Sequence, residues 1–211
     1  PQARWIDVGK RGFAHSTAQA VIDALLVRLA REHAVVVRLK GGDPSLFARL
    51  EEELLALKAA GIACEVVPGV TAALAAAALT QRPLTRRGQG RSVALRTAVT
   101  RSGPANGAPH ADTEVFYMAG RQLATLGKRL QAQGWCADTP VSVVSCAGLP
   151  DALHSDHRLA ELGCAALLHA GRPTVVTVGV GAGHLAKSDS STPTKTLIAK
   201  TAKASVQTPA P

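Results

Sequence analysis

The hydrophobic pattern of residues 34–72 predicts a strand, a helix, a second strand and a second helix, in that order. The apolar, β-branched run at 35–39 is typical of a buried parallel strand. Leucines at helical spacing follow over residues 43–61, and a second short apolar run occupies 65–67. An alanine-rich helix begins after Thr71. This alternation indicates an α/β fold with a parallel sheet.

Two backbone turns interrupt this pattern. The first contains Gly41, Gly42 and Asp43, and the second begins at Pro68. Each follows a predicted parallel strand, and open α/β sheets bind ligands at the carboxyl ends of their strands. Glycines also allow a ligand to approach the backbone closely. From spacing alone, Asp43 and Thr71 are interpreted equally well as simple helix caps.

The alternation of strands and helices continues along the chain. Further strands are predicted at residues 4–8, 91–97, 114–118, 140–146 and 173–178, and a helix is predicted from Leu123 to its stop at Gly134. The basic, glycine- and proline-containing stretch 82–90 predicts a linker between domains. We therefore expect an N-terminal domain at 1–84, a C-terminal domain at 85–183 and a disordered tail, rich in Lys, Ser, Thr, Ala and Pro, at 184–211.

Composition narrows the class of protein. Apolar residues make up 46% of the 211 residues and aromatic residues 3%, which fits α/β architecture better than a disulfide-bonded secreted module. No apolar run is long enough to span a bilayer and no signal peptide is recognisable, so we expect a cytoplasmic protein without a membrane partner. The net charge of +9 favours an anionic partner: nucleic acid, acidic lipid or a small polyanion.

Cysteine and histidine spacing predicts no metal site. The four cysteines form no CxxC pair and are interpreted as buried free thiols. His154 and His157 have no second cluster of ligands nearby, and they are interpreted as solvated loop residues.

Two positions outside the two turns, Lys10 and Met118, are candidates for chemistry. Lys10 follows a glycine at the end of the first predicted strand, beside Arg11, although a solvated charge is the simpler interpretation. Met118 at a strand end can pack against an adenine, although most such methionines belong to a core. Ser16 and Gln19 have the spacing of a capping box at the start of a helix.

Five segments resemble the tetrapyrrole methylase family: VGKRGFAHSTAQAVIDALLV, VVRLKGGDPSLF, EVVPGVTAA, RPLTRRG and DTEVFYMAG. The resemblance extends from about residue 4 to about residue 183, and it implies a two-domain, tetrapyrrole methylase-like α/β fold. It further implies S-adenosylmethionine-dependent C-methylation of uroporphyrinogen III to precorrin-2, in siroheme and cobalamin biosynthesis. The family suggests a homodimer, and neither a metal nor a nucleic-acid partner is expected.

The resemblance also implies roles for individual residues. Lys10 occupies the position of a lysine that the family links to the active site as a proton donor. Arg11 and Arg38 are assigned by their charge to the substrate's carboxylates. The residues implied to bind the cofactor are Gly41, Gly42, Asp43, Leu46, Thr71, Ala72, Met118 and Ala147.

The chain departs from the family pattern in several places. The family's first strand, its GPGD loop and a later tyrosine–aspartate pair that supplies the proton acceptor do not precede Arg4. We therefore expect an incomplete N-terminal domain. Ala98-Val99 replaces a usual glycine-histidine, and Ala147-Gly148 replaces a frequent glycine-threonine.

Three other hypotheses stay open. The same fold could methylate a later corrin precursor, an RNA or a protein. A non-catalytic basic module could bind nucleic acid, although few aromatic residues and no recognised motif support this. The chain could also have no activity on its own.

Overall fold

The computed structural model describes residues 3–9, 17–99 and 110–185. Two short 3-10 helices, Leu159–Cys164 and Val180–Ala182, accompany the helices α1 (Gln19–Glu32), α2 (Leu50–Ala59), α3 (Ala72–Thr80), α4 (Leu123–Ala132) and α5 (Ala165–Leu168) and the strands β1 (Val93–Thr97), β2 (Thr113–Tyr117), β3 (Pro140–Ser145), β4 (Leu153–Arg158) and β5 (Thr174–Gly179). The predictions for Lys10, Arg11, Ser16 and most of the tail lie outside the described residues.

The five strands form one sheet in the order β1-β2-β5-β3-β4. β1 and β2 are parallel, whereas β5 is antiparallel to both β2 and β3. β2 and β3 consequently run in the same direction, on either side of β5. Their last residues, Tyr117 and Ser145, therefore lie at the same end of the sheet, together with the residues that follow them.

Both faces of this sheet are covered. On one face, Phe116 of β2 and Val176 of β5 pack in a buried cluster with the leucines of α4. On the opposite face, Val115 and Tyr117 pack with Ala73 and Ala76 of α3. Successive strand residues point to opposite faces, which explains why neighbours in β2 belong to different clusters. α3 precedes the sheet in the chain, but it packs on this face and contributes to its buried cluster.

The strand and helix predictions for the C-terminal half are confirmed for β1, β2, β3, β5 and α4. Gly134, with φ 96°, follows the end of α4 as predicted. The interpretation of His154 and His157 as loop residues is wrong, because both lie on β4. This strand is at the edge of the sheet and its sequence, LHSDHR, lacks the apolar run on which the strand predictions depended.

The strands predicted at 4–8, 35–39 and 65–67 are wrong for this structure, which assigns no strand to the described residues before β1. Val35 and Val37 are 80% and 78% exposed, so the first apolar run of the α/β pattern is not buried. The pattern predicts β structure only if neighbouring strands pair with the run. The described N-terminal residues contribute helices α1, α2 and α3 instead.

The predicted helix starts agree with the structure only in part. α2 begins at Leu50 and not near Asp43, because Phe47 and Arg49 adopt left-handed φ angles of 52° and 56° that interrupt a helix. α1 begins at Gln19, whose side-chain amide donates to Asp23 and Glu53. Ser16, its partner in the predicted capping box, lies outside the described residues. Thr71 occupies the N-cap position of α3 as predicted, but its hydroxyl makes no capping hydrogen bond.

The segment at 82–90, predicted to be a linker between domains, is attached to the sheet. The Arg82 side chain is buried, and its Nη2 atom donates to Asp156 Oδ2 at 2.7 Å while Nη1 donates to the carbonyl of Ala182 at 3.0 Å. The prediction of buried thiols holds for Cys146 alone, since Cys64, Cys136 and Cys164 are exposed. None of the helices in the described part of the chain has the length and apolarity needed to cross a bilayer.

Candidate functional site

The two turns singled out in the sequence contact each other. We call residues 41–44 the GGDP turn and residues 68–71 the PGVT turn. The backbone N–H of Gly69 donates to Asp43 Oδ2 at 3.0 Å. A Cβ atom added to Gly69 would lie 2.3 Å from the carbonyl oxygen of Gly42, so only glycine allows this approach. The structure therefore brings together two segments that are separated by 26 residues in the sequence.

Asp43 joins the two turns through hydrogen bonds. Its Oδ1 atom accepts hydrogen bonds from the backbone N–H of Ser45 at 2.8 Å and from the Ser45 hydroxyl at 2.5 Å. The Ser45 hydroxyl, followed by the Gly69 and Ser45 backbone amides, lowers the pKa of Asp43. The carboxylate is thus held ionised, and it stabilises turn geometry instead of capping α2.

The PGVT turn is joined to the end of β2. Thr71 Oγ1 and the Tyr117 hydroxyl are 2.7 Å apart, and both side chains are buried. The Phe47 ring, which follows the GGDP turn, packs against the Tyr117 ring with centroids 5.0 Å apart and planes tilted by 59°. Met118 comes directly after Tyr117 and is half exposed. A single strand end therefore contacts the segments of both turns.

The end of β3 completes this arrangement. Ala72 and Ala147 both pack against the buried cluster that α3 forms with the sheet. A Cβ atom added to Gly148 would lie 3.7 Å from the Cβ of Ala75, which places the turn after β3 against α3. We call the surface formed by the GGDP turn, the PGVT turn and residues 117–118 and 146–148 the cradle.

Backbone strain is concentrated at the cradle. Among the described residues, five other than glycine have positive φ, and three of them, Phe47, Met118 and Cys146, belong to the cradle or follow its GGDP turn. Such conformations are unfavourable for residues with a Cβ and persist only where the surroundings enforce them, often at ligand sites. The strain therefore supports a functional interpretation of this surface.

The cradle has space for a ligand beside its backbone. A Cβ atom added to Gly41 would meet no protein atom within 4 Å. Half of the Met118 side chain, directly after Tyr117, is exposed, and its soft thioether is suited to contact an aromatic ring. Open backbone and an exposed thioether leave room for a ligand that contains such a ring. Among the described residues, no three His, Cys, Asp or Glu side chains are grouped as metal ligands.

Arg38 has partners within the protein. Its Nε atom lies 3.3 Å from Glu53 Oε1, and its Nη1 atom donates to the Leu39 carbonyl at 2.9 Å. Glu53 is also bound by Lys40 Nζ at 2.5 Å. Burial opposes ionisation of Glu53, but the Lys40 and Gln19 hydrogen bonds outweigh it and lower its pKa. Arg38 thus helps to hold the segment before the GGDP turn against α2.

The structure brings most of the predicted cofactor residues together. Four of them are joined through the hydrogen bonds or the buried cluster described above: Asp43, Thr71, Ala72 and Ala147. Gly42 approaches Gly69 closely, and the half-buried Leu46 follows the GGDP turn. Their role in binding stays a prediction. Sequence reasoning missed Tyr117 and Phe47. Alternation along β2 could have placed Tyr117 on the same face as Val115, but nothing in the sequence identifies Thr71 as its partner.

Two open depressions lie beside α2. One, of about 440 Å³, includes Asp23, Val27 and Ala56 in its lining, and the other, of about 580 Å³, extends from Ser45 to Lys58. Neither is lined by Gly42, Thr71 or Met118. The assignment of the cradle therefore depends on its hydrogen bonds and strained backbone, and not on an enclosed cavity.

Comparison with known proteins gives consistent matches. Residues 4–163 match a family model described as tetrapyrrole (corrin/porphyrin) methylases. A uroporphyrinogen-III C-methyltransferase from Synechocystis is 43% identical over 158 residues, which cover 72% of this chain and 60% of the relative. Another, from Pseudomonas aeruginosa, is 40% identical over 188 residues, covering 85% of this chain and 75% of the relative. The chain thus spans less than two thirds of the Synechocystis protein.

A solved structure has a similar fold. It is a uroporphyrin-III C-methyl transferase from Thermus thermophilus complexed with S-adenyl homocysteine, with a TM-score of 0.66 and 35% sequence identity. The match covers 76% of this chain and 73% of the Thermus chain. The mixed α/β architecture described above is therefore that of a known group of methyltransferases.

Proposed function

Because the chain belongs to the tetrapyrrole (corrin/porphyrin) methylase family, we propose that its cradle binds S-adenosylmethionine for the C-methylation of uroporphyrinogen III. The observation that carries this proposal is the contact between Asp43 and Gly69, which joins the GGDP turn to the PGVT turn. The half-exposed Met118, directly after Tyr117, supports it. The product would be precorrin-2, in the siroheme and cobalamin branch.

The proposed reaction is displacement at a methyl group. S-adenosylmethionine supplies that methyl on a positively charged sulfur. An electron-rich pyrrole carbon forms the new C–C bond, the C–S bond breaks with its electron pair left on sulfur, and a proton must then leave the methylated ring. The protein contributes mainly by orienting the reactants, an effect that reaches roughly 7–11 kcal/mol in well-oriented systems.

The remaining assignments concern the substrate and the surroundings. We assign Lys10 to proton transfer beside the macrocycle, and Arg11 and Arg38 to substrate carboxylates. Arg38 would share its guanidinium between Glu53 and the substrate. A cytoplasmic homodimer that needs no metal, nucleic acid or membrane is our prediction for the assembly.

Binding of S-adenosylhomocysteine to the 211-residue chain tests the cofactor site. Asp43→Ala removes the bond between the turns, and we expect calorimetry to show affinity at least about tenfold lower, because a charge-assisted hydrogen bond contributes about 1.5–3 kcal/mol. Asp112→Ala is the matched control. This carboxylate fixes a turn in the same way, through the Arg91 and Ser92 amides, outside the cradle. Equal affinities of Asp43→Ala and Asp112→Ala would contradict the assignment.

Lys10→Met tests the proton-transfer role. We expect slower methyl transfer to uroporphyrinogen III with unchanged affinity for S-adenosylhomocysteine, because the substituted side chain keeps its length and loses its proton. Lys58→Met, on the exposed part of α2, is the control. Turnover by Lys10→Met equal to that of the control would show that Lys10 is only a surface charge.

A further inference from the structure

The hydroxyl pair of Tyr117 and Thr71 has a place in the cradle that the family match does not explain. Tyr117 ends β2 and Thr71 precedes α3, and their oxygen atoms are 2.7 Å apart. Tyr117 is 8% exposed and Thr71 is 7% exposed. A buried hydrogen bond between two segments 46 residues apart fixes their relative position.

Thr71 lies at the N-cap position of α3, but its hydroxyl does not cap the helix. A threonine at an N-cap usually accepts a hydrogen bond from a backbone N–H in the first turn of its own helix. In α3 no such bond is present, and the N–H groups of Leu74 and Ala75 bond to the Thr71 carbonyl. The Thr71 hydroxyl is turned toward Tyr117 instead.

Tyr117 also contacts the other turn. Its ring packs against Phe47, whose φ of 52° keeps the residues after the GGDP turn out of a helix. Met118, the next residue along the chain, has φ 56°. Tyr117 therefore contacts the PGVT turn through its hydroxyl and the segment after the GGDP turn through its ring. It also directly precedes Met118, whose backbone is strained.

We propose that Tyr117 is a positioning residue that orients the Thr71 hydroxyl toward the S-adenosyl ligand, an inference that rests on the proposed function of the cradle. A phenol is more acidic than an aliphatic alcohol and is the better donor of the two. Tyr117 thus donates to Thr71 Oγ1, and the Thr71 proton is directed to a different acceptor. In the complex, that acceptor is an oxygen or nitrogen atom of the ligand.

The test is a double-mutant cycle on affinity for S-adenosylhomocysteine, measured by calorimetry on the full chain. Tyr117→Phe keeps the ring contact with Phe47 and removes the hydroxyl. Thr71→Val keeps the shape and removes the other hydroxyl. We expect each variant to bind about five- to tenfold more weakly, a loss typical of one hydrogen bond. The double variant is expected to bind about as weakly as either single variant, because both act through one contact.

Thr113→Val is the matched control on the same strand. Its buried hydroxyl donates to the Leu84 carbonyl and accepts from the Gly181 N–H, about 13 Å from Tyr117 along β2. We expect this variant to melt at a lower temperature and to bind the ligand normally. Thr71→Ser, which restores a hydroxyl, should recover most of the affinity lost in Thr71→Val.

The outcomes separate the inference from the proposed function. If the parent chain does not bind S-adenosylhomocysteine, the proposed function fails and the inference fails with it. If the parent binds and Tyr117→Phe binds equally well, or the two losses multiply in the double variant, only the inference is overturned. Should Tyr117→Phe not fold, equal affinities of Thr71→Ser and Thr71→Val would overturn it.

Discussion

The N-terminal and C-terminal halves of this chain are stabilised in different ways. After residue 85, five strands form a sheet with buried clusters on both faces. Before it, apolar residues such as Val35 and Val67 are exposed, and the turns are held by polar contacts such as Asp43–Gly69. The cradle lies where the two kinds of structure meet. Burial fixes one side of the candidate site, and individual hydrogen bonds fix the other.

The largest expected effect is on the free energy of unfolding, which a substitution in the C-terminal half should change far more than one in the N-terminal half. Leu130→Ala, in the buried face of α4, should lower the free energy of unfolding by about 2–5 kcal/mol, because it leaves a cavity. Val37→Ser, at a position 78% exposed, should change it by less than about 0.5 kcal/mol. Urea unfolding measures both. Comparable losses would show that residues 35–39 are buried and that the two halves do not differ.

A smaller effect is expected within the cradle. Gly69→Ala forces a Cβ to within 2.3 Å of the Gly42 carbonyl, so the turns must separate, at a cost of about 1–3 kcal/mol. Gly41→Ala meets no protein atom and should be neutral for stability.

The same pair of variants reports on ligand approach. Gly41→Ala should still weaken S-adenosylhomocysteine binding if the ligand lies against the GGDP turn. Thermal melts and calorimetry together distinguish the two effects. Gly69→Ala with unchanged stability would mean that the turns do not touch.

The smallest effect concerns a carboxylate of the C-terminal half. The Ser92 hydroxyl and the Ser92 and Arg91 amides lower the pKa of Asp112 from 3.8 to about 2. A depressed pKa stabilises the fold above the unfolded-state value, and this contribution is lost as the pH falls through the folded-state value. The difference in melting temperature between the parent and Asp112→Ala should therefore be constant from pH 7 to about 4 and shrink below it. A difference that already shrinks between pH 7 and 5 would contradict this.

The sequence predicted the C-terminal half better than the N-terminal half for a physical reason. β3 and β5 are valine-rich, with only serine or threonine between the valines, which is typical of strands buried on both faces. Gly134 marks the end of α4 directly. The run at 35–39 has the same composition, but pairing depends on strands elsewhere, which composition does not reveal. β4 was missed because an edge strand can be polar.

The candidate site was predictable only in part. Gly42, Asp43 and Thr71 were identified as turn residues, but the bonds that join them to Gly69 and Tyr117 are tertiary contacts. The left-handed φ of Phe47 was also not predictable, since a bulky residue rarely adopts it. Local pattern located the turns, and only the fold shows that they meet.

Hydrogen exchange with and without S-adenosylhomocysteine shows whether the two turns and the end of β2 form one ligand site. We expect slower exchange on ligand addition in peptides covering residues 41–45, 68–72 and 117–119, with no change in β4. Saturable binding that protects α2 or β4 while leaving both turns unchanged would contradict it.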